Sequence, residues 1–333
     1  MHVAYGGSMN TDKPTPLEYK SKLAPYIRGL IDEYRSNGYS FVQQAKDLKN
    51  FDTFIIEKGL DSGSLDKDVI DAWSEQRETE SLSTRNDRLS RVRILAKYMT
   101  SLGIKASFPP DNAKTFKPTP YILSRDELAE LFRAVDEYDE SPHHCIPRCY
   151  GVILRLYYHC GMRLNEPLML LRNDVDLNDG TIYIRHSKGD KDRRVYADER
   201  LIRLLRLYDS RISDCFPDRR YFFPGLKPEG HMHKATIDGI FNAIWKKLYG
   251  CNGKHPTPHS LRHTFVVHRI DSWVKEGVNV NEMMPVLKTY LGHSSTEDTF
   301  YYYHLLDPQS EASRRCIASS GDIGKEVLDA ELI

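Results

Sequence analysis

The sequence predicts a mainly α protein with a small antiparallel β-sheet: an α+β domain that follows a separate N-terminal helical bundle. Its 333 residues are 40% hydrophobic, which is enough to bury a large core and typical in length of two domains. Apolar residues recur at helical spacing through most of the chain, whereas the alternation typical of strands is confined to residues 174–198. A proline-rich segment at 105–120 separates the two predicted domains.

Residues 20–104 follow the helical repeat in four amphipathic segments joined by short turns. The first ends at Asn37-Gly38, the second at Gly59 and the fourth at Gly103, because glycine and asparagine commonly terminate helices. Their apolar positions are Ile27, Leu30, Ile31, Tyr34, Ala45, Leu48, Phe51, Ile55, Leu65, Val69, Trp73, Leu89, Val92, Ala96 and Met99. Four helices with short connections predict a compact helical domain. Residues 1–20 have no apolar period and are expected to be flexible.

The fourth helix carries Arg88 and Arg93 beside its apolar stripe, with Arg91 further round. These charges form either an ordinary solvated face or a surface that lies against DNA phosphates. The chain as a whole has 47 basic and 47 acidic residues. A net charge of zero argues mildly against a nucleic-acid partner, but it leaves room for a locally basic face.

The composition argues against several classes of protein. No run approaches the roughly 20 apolar residues that a bilayer-spanning helix needs, and MHVAYGGSMN lacks the regions of a signal peptide. We therefore expect a cytoplasmic protein without membrane contact. The six cysteines lack CxxC spacing, so we expect reduced, structural thiols at Cys145, Cys149, Cys160, Cys215, Cys251 and Cys316.

One cluster of potential metal ligands lies where an apolar stretch begins. Its members are His143, His144, Cys145, Cys149 and Cys160. The stretch CYGVILRLYYHCG is typical of a buried helix, which favours packing over metal binding. We expect no metal ion there.

The second domain, residues 121–333, opens with Ser124 and Glu127 in the pattern of a capping box before an apolar helix. Strands are predicted at 181–184 and 194–196, with turn signals at 178–180 and 188–190. This pattern predicts an antiparallel hairpin. Helical patterns then resume at Leu201 and continue to the end of the chain.

Three distant segments of the second domain carry polar residues in recognisable patterns: GMRLNEPLML, HSLRHTFVVH and LGHSSTEDTFYYYH. Each alone is a weak signal, because an arginine after a turn or an H-x-x-R pair on a helix is commonly a surface feature. Taken with KGDKDR at the hairpin tip, and in this order, they resemble the tyrosine recombinase (phage integrase) family. The resemblance covers about Ser124 to Leu306.

The resemblance assigns seven residues to a site. They are Arg163 and its accompanying acid Glu166, the hairpin Lys188, His259 and Arg262 of H-x-x-R, His293 of L-G-H, and Tyr302 nine residues later. Tyr302 is implied to be the nucleophile. Tyr301 is the alternative if the intervening segment shifts the register by one residue.

Elementary chemistry explains these residue types. A phenol has a pKa of about 10, so it needs nearby positive charge or a base to attack at neutral pH. The guanidinium groups of Arg163 and Arg262 can each bind two phosphate oxygens and stay charged. A donor aimed at developing charge commonly contributes about 3 kcal/mol to the transition state. Glu166 would repel phosphate, so we expect it to hold a catalytic arginine or histidine from behind.

The remaining roles are implied by the resemblance alone. His259 would act as acid or base near the tyrosine, His293 would donate a hydrogen bond to the phosphate, and Lys188 would protonate the 5′-oxygen. Lys191 and Arg193 are alternatives for that acid. The predicted DNA contacts are Arg88, Arg91, Arg93, Lys191 and Arg193.

The resemblance implies an enzyme that cleaves and rejoins DNA strands through a covalent 3′-phosphotyrosyl intermediate, without a cofactor. Its partners would be double-stranded recombination sites, three further copies in a tetramer on DNA, and accessory DNA-bending or directionality proteins. Residues 20–104 look like the family's core-binding (SAM-like) DNA-binding domain. The tail, ending in a short amphipathic segment at 327–333, looks like its docking segment, and a frayed terminus is the alternative.

One departure from the compact family members is the longer interval between Arg262 and His293, around SWVKEGVNVNEMMPVL, which is similar to transposon-associated integrases. Two other functions are open: a type IB topoisomerase and a catalytically silent DNA-binding regulator. The L-G-H turn and the small helical domain favour the recombinase over the topoisomerase, and the full polar set argues against the regulator. No carboxylate pair at two-metal spacing supports a metal-dependent nuclease.

Overall fold

The computed structural model describes residues 17–115, 119–139, 149–187, 191–225, 227, 229–251, 253, 255–293, 295, 299 and 301–302, without the side chains of 186, 187 and 191. Two compact units make up the chain, Met1–Lys117 and Pro118–Ile333. The division between them falls inside the proline-rich segment.

The first unit holds the four predicted helices, α1 Ala24–Ser36, α2 Val42–Glu57, α3 Lys67–Ser74 and α4 Leu82–Ser101. The apolar positions predicted from the sequence are buried in its core, with Tyr34 partly buried against them. Trp73 lies at the centre, with its ring edge against Phe51 at 5.0 Å between centroids. The stripe pattern therefore placed the core of this unit correctly.

The second unit contains six α-helices and one hairpin among its described residues. Its elements are α5 Arg125–Asp139, α6 Tyr150–His159, β1 Thr181–Ser187, β2 Lys191–Tyr196, α7 Glu199–Cys215, α8 Lys234–Tyr249, α9 Pro258–Lys275 and α10 Val280–Leu291. The capping box at the start of α5 is confirmed: the Glu127 amide donates to Ser124 Oγ at 3.1 Å, and the Ser124 amide donates to Glu127 Oε2 at 2.7 Å.

The β-hairpin is antiparallel as predicted, with Thr181 opposite Tyr196 and Ile184 opposite Arg193. The pairing shifts between Ile184 and Ser187, and both strands extend closer to the tip than the sequence indicated. The predicted turn at 188–190 lies outside the described residues.

Helix α6 is the buried helix that the apolar stretch predicted, and it packs against α5 and α9. Cys149 and Cys160 at its two ends are buried cysteines in the reduced state. The other three members of the possible ligand cluster, at 143–145, lie outside the described residues. In the described part of the chain, the helices are too short or too polar to cross a bilayer.

Candidate active site

Tyr302 lies with its side chain buried against helix α9, 4% exposed. Its hydroxyl oxygen is 2.8 Å from Nδ1 of His263. The His293 ring is parallel to the Tyr302 ring, with 6.3 Å between centroids, and the His259 ring meets His263 edge-on at 4.6 Å. The phenol therefore lies beside His263 of α9 and His293 after α10, with His259 next to His263.

Arg262 extends from the same helix and is 2% exposed. Its guanidinium donates to the carbonyl oxygens of Gly161 and, at 2.9 Å, Leu291. It also lies 3.0 Å from Nε2 of His293. Because a guanidinium can only donate, Nε2 must accept, so the ring proton of His293 lies on Nδ1, which is 2.8 Å from the Thr299 hydroxyl.

Arg163 stands in the turn after α6 and is fixed at both ends. Its amide donates to Glu166 Oε2 at 2.6 Å, and its guanidinium donates to Glu166 Oε1 at 3.1 Å and to the Gly292 carbonyl oxygen. The structure thus places Glu166 behind the first arginine of the motif. The Arg163 side chain is partly exposed, at 22%.

Glu166 also binds Arg193, whose two terminal nitrogens donate to both carboxylate oxygens at 2.6 Å. Arg193 Nε donates to the Tyr290 carbonyl oxygen at 2.9 Å, and the side chain is 8% exposed. Burial alone would raise the pKa of the Glu166 carboxyl, but the hydrogen bonds and charge of Arg193 and the Arg163 amide hold that pKa below its usual range. The carboxylate stays charged between two arginines.

The three histidines of the site are neutral at pH 7. Burial lowers the pKa of His259 to about 4, and of His263 and His293 to about 3. The positive charge of Arg262 lowers all three further. Burial and repulsion by Arg163 also lower the pKa of Arg262 to about 10. Among the described residues, the cationic charge of the site at neutral pH therefore lies on arginines.

Two glycines let the chain pass close to the arginines. Gly292 has φ +65, and a Cβ there would lie 3.3 Å from a terminal nitrogen of Arg163. Gly161 has φ +58, and a Cβ there would meet the Phe265 ring at 2.6 Å. Both positions favour glycine for backbone and packing reasons together.

The structure brings together six of the seven residues that the resemblance assigned. They are Arg163, Glu166, His259, Arg262, His293 and Tyr302. Lys188 lies outside the described residues, as does the side chain of Lys191. The Tyr301 ring contacts Tyr302 at 6.1 Å between centroids, and the hydrogen bond to an imidazole belongs to Tyr302.

Two of the predicted DNA contacts have a different setting from the one expected. Arg193 is not exposed to a ligand, because both Glu166 oxygens take up its guanidinium. Arg88, in the first unit, stacks on Trp73 at 4.6 Å and forms an ion pair with Glu80 at 2.7 Å, so its guanidinium is also used internally.

Arg91 and Arg93 have weaker internal contacts. Arg91 Nε is 3.3 Å from Asp47 Oδ2, and Arg93 donates to the Asn112 side-chain oxygen at 3.1 Å and to the Pro110 carbonyl oxygen. Both side chains are partly exposed. They therefore keep the exposure that a phosphate contact requires.

Reasoning from the sequence missed His263 as a site residue. It stands four residues after His259, which puts both on one side of α9, and this i, i+4 spacing was the available signal. It also missed Thr299, which is buried and holds His293. A threonine in the stretch between the histidine and the tyrosine carries no signal of its own.

Comparison with known proteins gives one family model and related sequences. The model of the Phage integrase family matches residues 122–309. The integrase/recombinase y4rE of Sinorhizobium fredii is 32% identical over 84% of this chain and 91% of its own length. The tyrosine recombinase XerD of Rickettsia bellii is 24% identical over 85% of this chain and 93% of its own length.

Solved structures show the same fold. A XerH site-specific recombinase bound to its difH substrate, in a pre-cleavage complex, aligns with a TM-score of 0.61 and 21% identity over 84% of this chain and 81% of that one. The Tn1549 transposon integrase in complex with circular intermediate DNA aligns with a TM-score of 0.59 and 16% identity over 87% of this chain and 97% of that one.

Proposed function

Because the chain belongs to the phage integrase family, we propose that it is a tyrosine recombinase, which cleaves and rejoins DNA strands at specific sites through a covalent 3′-phosphotyrosyl intermediate. One observation carries the proposal: the buried Tyr302 hydroxyl lies 2.8 Å from Nδ1 of His263, and Arg262 contacts the His293 ring that lies parallel to the Tyr302 ring. A nucleophile and charge for a phosphate are thus in one place. The reaction conserves bond energy, so rejoining to a new 5′-hydroxyl needs no energy source.

The arginines would bind the phosphate. Arg163 and Arg262 now donate to backbone carbonyls, and these contacts fix the planes of the two guanidiniums, whose forked N–H groups suit the non-bridging oxygens of a phosphate. Such preorganised donors act on the charge of the pentacovalent transition state. Glu166 would supply the countercharge that keeps Arg163 in position before DNA arrives.

The acid for the departing 5′-oxygen would be Lys188 at the hairpin tip, with Lys191 as the alternative. Arg193 is a weak candidate, because a guanidinium bound to Glu166 at 2.6 Å has no reason to lose its proton. His293 could donate to the phosphate only after Arg262 releases its Nε2. Phosphate binding to Arg262 would allow that exchange.

The first unit would be the core-binding DNA-binding domain that the resemblance implied. Arg91 and Arg93 on α4 are our candidates for backbone phosphate contacts, since their side chains are partly exposed. Arg88 would first have to leave Glu80 and Trp73. The chain has no net charge, so DNA binding would depend on such local patches.

The working assembly would be a tetramer on two DNA sites, with each C-terminal tail docked on a neighbouring copy and accessory proteins setting the direction of exchange. The reaction could serve integration, excision or resolution of a mobile element. We propose that the enzyme works in the cytoplasm and is associated with the nucleoid when it is bound to DNA. The other two functions have less support, because a relative over 85% of the chain is a tyrosine recombinase and the described site brings Tyr302 together with Arg163 and Arg262.

The test uses nicked duplexes that carry the sequences flanking this gene. The wild-type chain and the variants Tyr302→Phe and Tyr301→Phe are incubated with each duplex in EDTA, and covalent protein–DNA adducts are resolved on denaturing gels. We expect an adduct with wild type and with Tyr301→Phe, and none with Tyr302→Phe. The same reactions on native gels report whether the DNA complexes reach the size of a tetramer.

Each other outcome has a definite meaning. Loss of the adduct with Tyr301→Phe alone would move the nucleophile by one residue. An adduct formed by supercoiled plasmid without exchange between two sites would favour the topoisomerase. Specific DNA binding without any adduct would favour the silent regulator.

A further inference from the structure

Two histidines on α9 are candidates for the base that deprotonates the nucleophile. His259 and His263 are one helical turn apart, and their rings meet edge-on at 4.6 Å. The motif resemblance gave the acid–base role to His259. The structure pairs the tyrosine hydroxyl with Nδ1 of His263 instead, at 2.8 Å.

The contacts of His259 give it no comparable claim to be the base. Its Nδ1 is buried and has no hydrogen-bond partner among the described residues. A candidate base must lie within hydrogen-bonding distance of the proton that it removes. Of the two rings, His263 meets that condition for Tyr302.

The charge state of His263 suits an acceptor. The neighbouring groups from α9 and the L-G-H turn are His259, Arg262 and His293, and burial among them keeps the imidazole neutral. A neutral imidazole has one nitrogen lone pair and one N–H. With the proton on Nε2, Nδ1 accepts from the Tyr302 hydroxyl, which is the arrangement that precedes deprotonation.

We propose that His263 is a catalytic residue that takes the phenol proton of Tyr302 when the tyrosine attacks DNA. The proposal rests on the recombinase function proposed above. In the forward step the Tyr302 O–H bond breaks, its proton moves to His263 Nδ1, and Oη bonds to phosphorus. The P–O5′ bond breaks and the 5′-oxygen takes a proton from the ammonium of the hairpin lysine.

The rejoining step is the reverse. A 5′-hydroxyl attacks phosphorus and returns its proton to the lysine, the P–Oη bond breaks, and His263 gives its proton back to the phenolate oxygen. No proton is lost over the cycle, and no oxidant, reductant or metal is needed for this balance. One imidazole therefore serves as base in cleavage and as acid in rejoining.

DNA binding would strengthen this base. Before substrate arrives, Arg262 and the neighbouring rings disfavour a second proton on His263. A phosphate diester bound to the arginines brings negative charge, which offsets that repulsion and raises the pKa of the imidazole. Proton transfer would then be favoured at the moment of attack and disfavoured in the resting enzyme.

The test measures the rate of adduct formation in a single turnover, on a duplex where wild type forms the adduct. The variants are His263→Asn, whose amide can keep a hydrogen bond to Tyr302 but cannot take a proton at pH 7, and His259→Asn. We expect His263→Asn to be at least about 100-fold slower than wild type, the usual scale of general-base catalysis. His268→Asn is the matched control, because His268 lies on the same helix with its Nδ1 3.0 Å from the Tyr158 hydroxyl.

Two chemical changes separate a base from a residue that only supports the fold. A sulfur in place of the bridging 5′-oxygen is a leaving group that needs no acid. This substrate should therefore restore the rate of adduct formation in variants that lack the acid, whereas the rate of His263→Asn should stay slow. A ring-fluorinated tyrosine at position 302 has a more acidic phenol that needs less help from a base, so it should restore much of the His263→Asn rate. A packing defect would respond to neither change.

The outcomes either support or overturn the proposal. A His263→Asn rate within about threefold of wild type, rescue by the sulfur substrate, or no gain from the fluorinated tyrosine would each overturn it. A larger defect in His259→Asn that fluorination repairs would give the role to His259. If wild type itself forms no adduct on any duplex, the recombinase function fails first, and the proposal fails with it.

Discussion

At the scale of single residues, the negative charge of Glu166 allows Arg163 and Arg193 to lie side by side. Its carboxylate binds Arg193 through both oxygens and also holds Arg163. With side chains of 8% exposure for both Glu166 and Arg193, the pair is largely removed from water. Removing one partner of such a pair leaves uncompensated buried charge.

We predict that Glu166→Gln lowers the free energy of unfolding by about 3 kcal/mol at pH 7. The folded-state pKa of Glu166 is depressed, so its contribution is present above the unfolded pKa, near 4.3, and is lost as pH falls through the folded-state value. The difference between variant and wild type should therefore shrink in acid. Urea denaturation between pH 7 and pH 3.5 measures it.

Glu199→Gln serves as the control for this experiment. Glu199 pairs with Arg203 at 3.5 Å on the surface of α7 and is 87% exposed, so its loss should leave stability unchanged within error. A Glu166→Gln variant as stable as that control would contradict the buried-pair interpretation. A difference that grows in acid would contradict the direction of the pKa shift.

Local motifs predicted six of the residues that the structure brings together, but not the pairing of Tyr302 with His263. Arg163, Arg262 and Tyr302 stand in short patterns that can be recognised in the sequence without the structure. The hydrogen bond between Tyr302 and His263 depends on the path of the chain between α10 and the tyrosine. The periodicity of the sequence does not predict that path. Arg193 was predicted as a DNA contact because its charge is visible in the sequence, whereas its buried partner is 27 residues away.

At the scale of elements, the end of α10 carries the site. The helix terminates at Leu291, and Gly292 follows with φ +65 as its left-handed cap. The carbonyl oxygens of these two residues accept from Arg262 and Arg163. A change in the conformation of this cap would therefore shift the positions of both arginines.

We predict that Gly292→Ala slows adduct formation by at least about tenfold, because a Cβ would press on the Arg163 guanidinium at 3.3 Å and small displacements of a catalytic group are costly. It should also destabilise the fold by about 1 kcal/mol through the left-handed backbone. Single-turnover rates and denaturation midpoints measure the two effects separately.

Gly277→Ala isolates the backbone contribution. Gly277 follows α9 with φ +74, and a Cβ there meets nothing within 4 Å. It should show the same small loss of stability with a wild-type cleavage rate. Equal rates for the two glycine variants would mean that Arg163 tolerates the displacement.

At the scale of the whole molecule, the two units have separate cores. Leu48 is fully buried in the core of the first unit, and Leu156 in that of the second. The helical stripes and the alternating hairpin predicted most elements of both. The ends of the strands were less predictable, because the shift in pairing beyond Ile184 leaves no mark in the alternation.

We predict that each unit unfolds as its own cooperative transition. Leu48→Ala should cost about 3 kcal/mol and move one calorimetric transition down by roughly 10 °C or more, with the other unchanged. Leu156→Ala should do the reverse. A single transition that moves with either substitution would contradict independent units.

The carbonyl contacts of Arg262 also bear on when a newly made chain becomes able to cut DNA. Arg262 follows Gly161 by 101 residues and precedes Leu291 by 29. A chain still on the ribosome can hold the first contact but lacks the second until α10 is complete, and the tyrosine is made later still. Under the proposed chemistry, a chain is therefore unable to cut DNA until its synthesis has passed Tyr302.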